Sequence, residues 1–371
     1  MEQVDSGLNI RKTTRSNLAM TSTCQHLRPH QTTGFNGCRV KGVCTPVDCL
    51  YCESHTERTT RAGIVSLMRK PKLIGEGYHR SGWPFAVESL LPIHSATAPM
   101  LLDDFVEQTW IYSQRREPIT QPWAGIFHHP PHPPAWTRRQ DRIDLLCDRP
   151  EFAESLKHLR LAICLSQYLA DWISDHWQVP TAVVKHPTEI PAMTWQPDEW
   201  LSQPRLLQCG WYLRNVRLIH QVETSHHKTR LMPRQEHHLQ HELACQTAFA
   251  DRREFPSDRM LDLNYIENSG YDFLLSRSVV CMEVLDAAAN NVTIECLARN
   301  TPLIVNRHPA VVEYLGAEYP LYFDHVAEIG EMLDDEALIL SAHQYLTACD
   351  KSWLSQDSFR DGIVAAIGGV Q

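Results

Sequence analysis

The sequence predicts an α/β protein made of two successive half-domains, each built on a parallel sheet. Three observations predict it. Short apolar runs alternate with segments of helical period, the pattern of strand–helix–strand units. The alternation runs from about Leu73 to Val184 and begins again at Arg205. The first stretch, up to about Thr60, shows neither period and stands apart from both halves.

The elements follow in order. Residues 84–91 (PFAVESLL) read as a helix entered through a glycine-bearing segment, 75–83 (GEGYHRSGW). Residues 123–128 (WAGIFH) read as a buried strand stopped by Pro130 and Pro131. Residues 160–165 (RLAICL) are a second buried strand. Ser166 suits an N-cap, and 167–177 then place Leu169, Trp172, Ile173 and Trp177 on one helical face. Val179-Pro180 ends that helix, and 181–184 form the next strand. In the second half 205–209 is a strand running into Gly210, 228–232 another, and 235–250 a polar helix. Residues 279–285 read as strand, 292–299 as helix, 302–305 as strand, and 310–314 as the start of a helix. A helical tail spans 337–366. The expected division is an extension over 1–70, half-domains over 71–195 and 196–350, and a tail over 351–371.

Composition narrows the partners. A formal charge of -9 gives no global field that would gather nucleic acid. No run approaches the roughly 20 apolar residues of a membrane helix. Residues 1–15 are polar and charged where a signal peptide needs an apolar core. The expectation is a cytoplasmic chain with no transmembrane segment and no nucleic-acid partner, its 12 cysteines mostly reduced. Cys24, Cys38, Cys44, Cys49 and Cys52 crowd the first stretch, expected to be a poorly ordered Cys-rich extension. Cys38, Cys44, Cys49 and Cys52, with His55 after them, offer soft ligands for one zinc as the alternative. The histidines at 226, 227, 237, 238 and 241 read first as a solvated polar segment, with metal capture as the alternative.

Three segments resemble glycosyltransferases of the GT-B class, nearest to the retaining nucleotide-sugar enzymes (group 1, family 4-like). They are 161–189 (LAICLSQYLADWISDHWQVPTAVVKHPTE), 206–216 (LLQCGWYLRNV) and 271–316, which contains DAAANNVTIECLARNTPLIVNRHPAVVEYLG. The last also resembles a group of glycosyltransferase-like sequences with an Ala-Asn-Asn turn, an Arg-Asn-Thr-Pro turn and a Glu-Tyr-Leu-Gly segment. The resemblance implies two Rossmann-like half-domains facing across a cleft, with a nucleotide-sugar donor on the C-terminal half and the acceptor on the other. It covers much of 76–350 and leaves out the Cys-rich stretch.

Glycosyl transfer must stabilise a departing diphosphate, a task for helix N-termini and arginines. Asn290 and Asn291 enter a helix, where a cap and a phosphate contact are equally good readings. By resemblance Glu295 matches the second glutamate of the family's Glu-x7-Glu pair, which holds the ribose. The first falls at Ala287 and is missing, with Asp286 beside it as substitute and catalytic candidate. Gly210 opens the nucleotide-binding half. Arg214 is the diphosphate candidate, with Arg217 a further one, and Asn215 occupies a place where the family carries a lysine. His128 and His129 close a strand at its carboxyl end, where an open sheet presents ligand-contacting groups. His128 is the catalytic candidate there, as a base toward the acceptor. Ser81, Gly82, His129, His186 and Glu189 are further cleft candidates, with turn and hinge structure as their plain alternative.

There is no Asp-x-Asp handle and no Gly-x4-Gly-Lys-[Ser/Thr] loop, which argues against the other major glycosyltransferase fold and against a P-loop enzyme. The expectation is a glycosyltransferase acting from a nucleotide-sugar onto a saccharide, lipid-linked or protein acceptor, with retention and with no cofactor or metal required. Two alternatives stay open: an inactive GT-B protein that binds sugar-nucleotide or glycan, and a GT-B-fold sugar-nucleotide epimerase.

Overall fold

The computed structural model of the chain describes residues 27–29, 36–38, 42–43, 64–67, 82–112, 117–251 and 260–369. The chain divides into two units, Met1–Ala62 and Gly63–Gln371. In the first, β1 (Leu27–Pro29), β2 (Asn36–Cys38) and β3 (Gly42–Val43) pair antiparallel in that order. Cys44, Cys49, Cys52 and His55, expected as zinc ligands, lie outside the described residues, and so does Ser81.

The second unit holds two parallel sheets. The N-terminal sheet runs β4 (Ser66–Leu67), β5 (Met100–Phe105), β6 (Trp123–Phe127), β7 (Leu159–Cys164) and β8 (Thr181–Val183), in sequential order. Its first strand thus precedes residue 70, where the sequence set the edge of the extension. Side chains alternate between faces along each strand. Ala162 and Cys164 pack with Phe127 under α2 (Pro150–Leu156) and α3 (Gln167–Trp177). Leu161 and Ile163 pack on the opposite face with Ala86 and Leu90 of α1 (Trp83–Leu90). Both faces are covered, so the RLAICL run is apolar without alternation. Ser166 caps α3 by accepting the Leu169 N–H at 3.4 Å, and Gln178 ends it in the left-handed region at φ 54°.

The crossing 184–196 leads through α4 (Pro197–Ser202) to the C-terminal sheet. Its strands are β9 (Arg205–Cys209), β10 (His227–Leu231), β11 (Met260–Leu263), β12 (Val279–Met282), β13 (Leu303–Asn306) and β14 (Tyr322–Phe323). They lie in the order β11-β10-β9-β12-β13-β14, the doubly wound arrangement whose direction of winding reverses between β9 and β12. The helices are α5 (Leu218–Gln221), α6 (Glu236–Ala248), α7 (Asn268–Arg277), α8 (Asn291–Arg299), α9 (Pro309–Leu315), α10 (Glu328–Asp334) and α11 (Glu336–Ala348).

The expected helical tail is broken. After α11 the chain crosses back, and α12 (Gln356–Gly368) starts from its Ser355 cap. Phe359, Ile363 and Ile367 of α12 join Leu90, Leu161 and Ile163 in the core of the N-terminal half. Gln356 Nε2 donates to Phe85 O at 2.8 Å. Among the described residues no helix is long and apolar enough to cross a membrane.

Candidate functional site

A cavity of about 1000 Å³ lies between the halves, at the carboxyl ends of β6, β9, β10, β11 and β12. Its base is the switch point of the C-terminal sheet. There the segment after β9 pairs with the segment after β12: Asn215 N–H donates to Glu283 O and Leu285 N–H to Leu213 O, each at 2.9 Å. Asn215, standing where the resemblance puts a lysine, is fully buried and donates to Glu283 Oε2 at 2.7 Å.

Gly210 leaves β9 at φ +76°, and a Cβ there would collide with Arg214 Nη1. The glycine therefore makes room for a guanidinium. Arg214 Nη1 donates to Cys209 O at 2.6 Å, and Nη2 to Asn290 Oδ1 at 3.2 Å. Its Nε is buried with no hydrogen-bond partner among the described residues. Burial is the main force lowering the Arg214 pKa. Arg217 is not among the cavity's lining residues; it pairs with Asp251 at 3.0 Å and with Glu242 at 3.4 Å.

Asn290 joins Arg214 to α8. Its Oδ1 also accepts the Thr293 N–H at 3.1 Å, so one oxygen caps the helix and receives the arginine. The N–H groups of Asn291 and Val292, at the first turn, have no acceptor within the helix. Both residues line the cavity. Glu295 lines it one turn further on, fully buried, its Oε2 accepting the Tyr271 O–H at 2.5 Å.

Asp286, the catalytic candidate, lines the cavity and is held by the scaffold. It is 2% exposed, and both oxygens accept bonds within the scaffold. Oδ2 takes the His132 N–H at 2.5 Å, while Oδ1 takes the Tyr168 O–H at 3.0 Å and lies 3.0 Å from His308 Nε2. Two of these donors belong to the N-terminal half, so Asp286 ties the halves together.

From the N-terminal half, His128 and His129 follow β6 into the cavity. Buried Glu107 fixes their turn: its Oε1 accepts the His128 N–H at 3.0 Å and the His129 N–H at 2.8 Å. Burial pushes the His129 pKa down to about 3, and burial with His186 and His129 lowers that of His128. Both rings are neutral at pH 7. Tyr112 Oη lies 3.3 Å from His129 Nε2.

Besides Arg217, three candidates do not line the cavity. Gly82 precedes α1 at φ -73°, a conformation open to any residue. His186 is buried in the crossing: its Nδ1 meets Pro187 O at 2.6 Å, and its backbone N–H donates to Tyr314 Oη at 3.2 Å. Glu189 is exposed on the crossing.

Other lining residues were not singled out in the sequence. Trp211 and Tyr212 follow Gly210, Pro233 and Arg234 follow β10, and Tyr265 follows β11. Arg234 pairs with Asp262. Only their place after a strand's carboxyl end could have marked them. Among the described residues no group of three or more His, Cys, Asp or Glu side chains is arranged to hold a metal ion. Of the histidine run, His226 Nε2 meets Asp334 Oδ1 at 2.8 Å, while His237, His238 and His241 gather around the Trp211 ring and His241 Nε2 meets Arg214 O at 2.8 Å.

No family model matches the chain, and no curated protein matches it in sequence. Solved structures match it in fold. Sucrose-phosphate synthase from Thermosynechococcus elongatus gives a TM-score of 0.53 at 12% identity, over 74% of this chain and 73% of that one. OtsA in its apo form gives 0.50 at 12% identity, over 78% and 76%. A mutant of TarM from S. aureus, in complex with Fondaparinux, alpha-GlcNAc-glycerol and UDP, gives 0.50 at 9% identity, over 73% and 55%. The chain has the GT-B fold.

Proposed function

We propose that the cleft binds a nucleotide-activated sugar and transfers its glycosyl group, with retention, to a saccharide, lipid-linked or protein acceptor. One observation carries the proposal: α8 opens its N-terminus into the cavity at the switch point, with Asn290 and Arg214 joined at its cap. A diphosphate there meets the N–H groups of Asn291 and Val292 and the positive end of the helix dipole. Arg214 adds a nearby cation, and these donors stabilise charge on the leaving nucleoside diphosphate without a metal. Glu295 accepts hydrogen bonds from the ribose, and the nucleobase lies between the loops after β10 and β11, by Pro233 and Tyr265. His128 and His129 face the acceptor from the other half.

The test is a thermal-shift screen of the full chain with UDP-, GDP-, ADP- and CMP-sugars. Ligand at about 100 times its Kd raises stability by roughly 2.7 kcal/mol. Product analysis with an acceptor panel follows. A chain stabilised by none of these donors does not have this function.

A second reading, a nucleotide-sugar binder without transferase activity, draws on a specific observation. Ala287 stands buried where the resemblance puts a glutamate, and neighbouring Asp286 is committed to the scaffold. Donor binding with no nucleotide release across the acceptor panel would select it.

A further inference from the structure

Tyr168, the second residue of α3, does not line the cavity, yet it reaches the site through Asp286. The loop 286–290 leaves the β12 segment, turns at Asp286 and delivers Asn290 to cap α8. Asp286 is therefore the anchor of the structure that presents the helix N-terminus. The Tyr168 O–H donates to its Oδ1 at 3.0 Å, across the boundary between the halves.

Tyr168 is itself held in place from the C-terminal half. Its backbone N–H donates to Glu313 Oε1 at 2.8 Å, and that of Gln167 donates to Glu313 Oε2 at 2.6 Å. A carboxylate of α9 thus sits on the N-terminus of α3, where the helix dipole favours a negative charge. The Tyr168 ring packs edge-on to His308 at 5.1 Å. His308 Nδ1 accepts the Ala310 N–H at 3.2 Å, which leaves Nε2–H to donate to Asp286. Each of these groups donates to Asp286, and among the described residues the phenol is the one side-chain donor supplied by the opposite half.

We infer that Tyr168 is a positioning residue of the donor site: through Asp286 it fixes the loop that carries the N-terminus of α8 into the cavity. The inference rests on the proposed donor site for its effect on binding. A loop ordered before the ligand arrives need not be ordered by it, so loss of the phenol weakens binding without removing any ligand contact.

Full-length wild type and Tyr168→Phe are compared by deuterium uptake without ligand and by calorimetric titration with UDP, GDP, ADP and CMP. Phenylalanine keeps the ring against His308 and removes only the O–H. The expected result is faster uptake over residues 286–293 in the variant. Affinity should fall about tenfold for whichever nucleotide binds the wild type, as one lost charge-assisted hydrogen bond implies. A residue that only packs would lower the melting temperature and leave both readouts unchanged. Equal uptake over the loop, or equal affinity, overturns the inference. A wild type that binds none of the four nucleotides overturns the donor site instead, and the uptake comparison still decides whether Tyr168 fixes the loop.

Discussion

Gly210 and Arg214 are one device. The positive φ of the glycine and the guanidinium over it require each other, so Gly210→Ala strains the turn and displaces the arginine. Such a change costs about 1–3 kcal/mol. Urea denaturation should show the loss, and nucleotide titration should weaken with it; an unmoved midpoint would mean that the turn does not need glycine. Glu295 serves packing as well as the cavity: it is fully buried and accepts the Tyr271 hydroxyl. Glu295→Ala should cost about 1–3 kcal/mol, while Glu295→Gln keeps an acceptor for Tyr271 and loses less. Melting curves of the two variants check this, and equal losses would contradict it. The cap at Asn290 was legible because a short polar side chain before a helical period has few other uses. The bond from Arg214 to Cys209 O and the tie from Tyr168 to Asp286 were not, since tertiary packing alone sets where those side chains end.

Elements buried on both faces were the most readable. Strands expected at 123–128, 160–165 and 205–209 occur at Trp123–Phe127, Leu159–Cys164 and Arg205–Cys209. The helix expected at 167–177 is Gln167–Trp177. β4, β11 and β14 escaped because they are edge strands of two to four residues, too short to show a period. β5 escaped because Asp103 and Asp104 interrupt its apolar run. The period of the last stretch predicts a helical tail that packs back toward the N-terminal half, as it does. In the fold α12 is one wall of the N-terminal core. Ending the chain after Lys351 removes Phe359, Ile363 and Ile367 from that core, each worth about 1.5–3 kcal/mol of burial. The truncated chain should lose cooperative unfolding of its N-terminal half in circular dichroism melts. A sharp melt at the wild-type temperature would contradict this.

At the scale of the molecule, buried histidines tie stability to pH. Burial, the first cause in each case, pushes His129 and His220 down to about 3 and His186 to about 4. An unfolded histidine titrates near about 6.5, so below that pH the unfolded chain binds more protons than the folded one. The contribution of these groups is complete above about pH 6.5 and is lost as the pH falls toward about 4 for His186 and about 3 for His129 and His220. For His186 it amounts to about 3 kcal/mol at the acid end. His186→Asn should flatten the fall in melting temperature between pH 7.5 and 4, and an identical pH profile would remove His186 from this role. The two-sheet plan and its order along the chain were legible in the alternation of strand and helix. The bonds that join the halves, through Asp286, Glu313 and Tyr314, were not, because each partner lies more than a hundred residues away in sequence.

The most direct test of the nucleotide-sugar site is hydrogen exchange of the whole chain with and without UDP-, GDP-, ADP- and CMP-sugars. A donor bound in the cleft slows exchange in residues 209–214, 233–238, 264–271 and 286–295, which line the cavity or hold its lining residues in place. If none of the four slows these segments, or if the slowing lies elsewhere in the chain, the cleft is not the donor site.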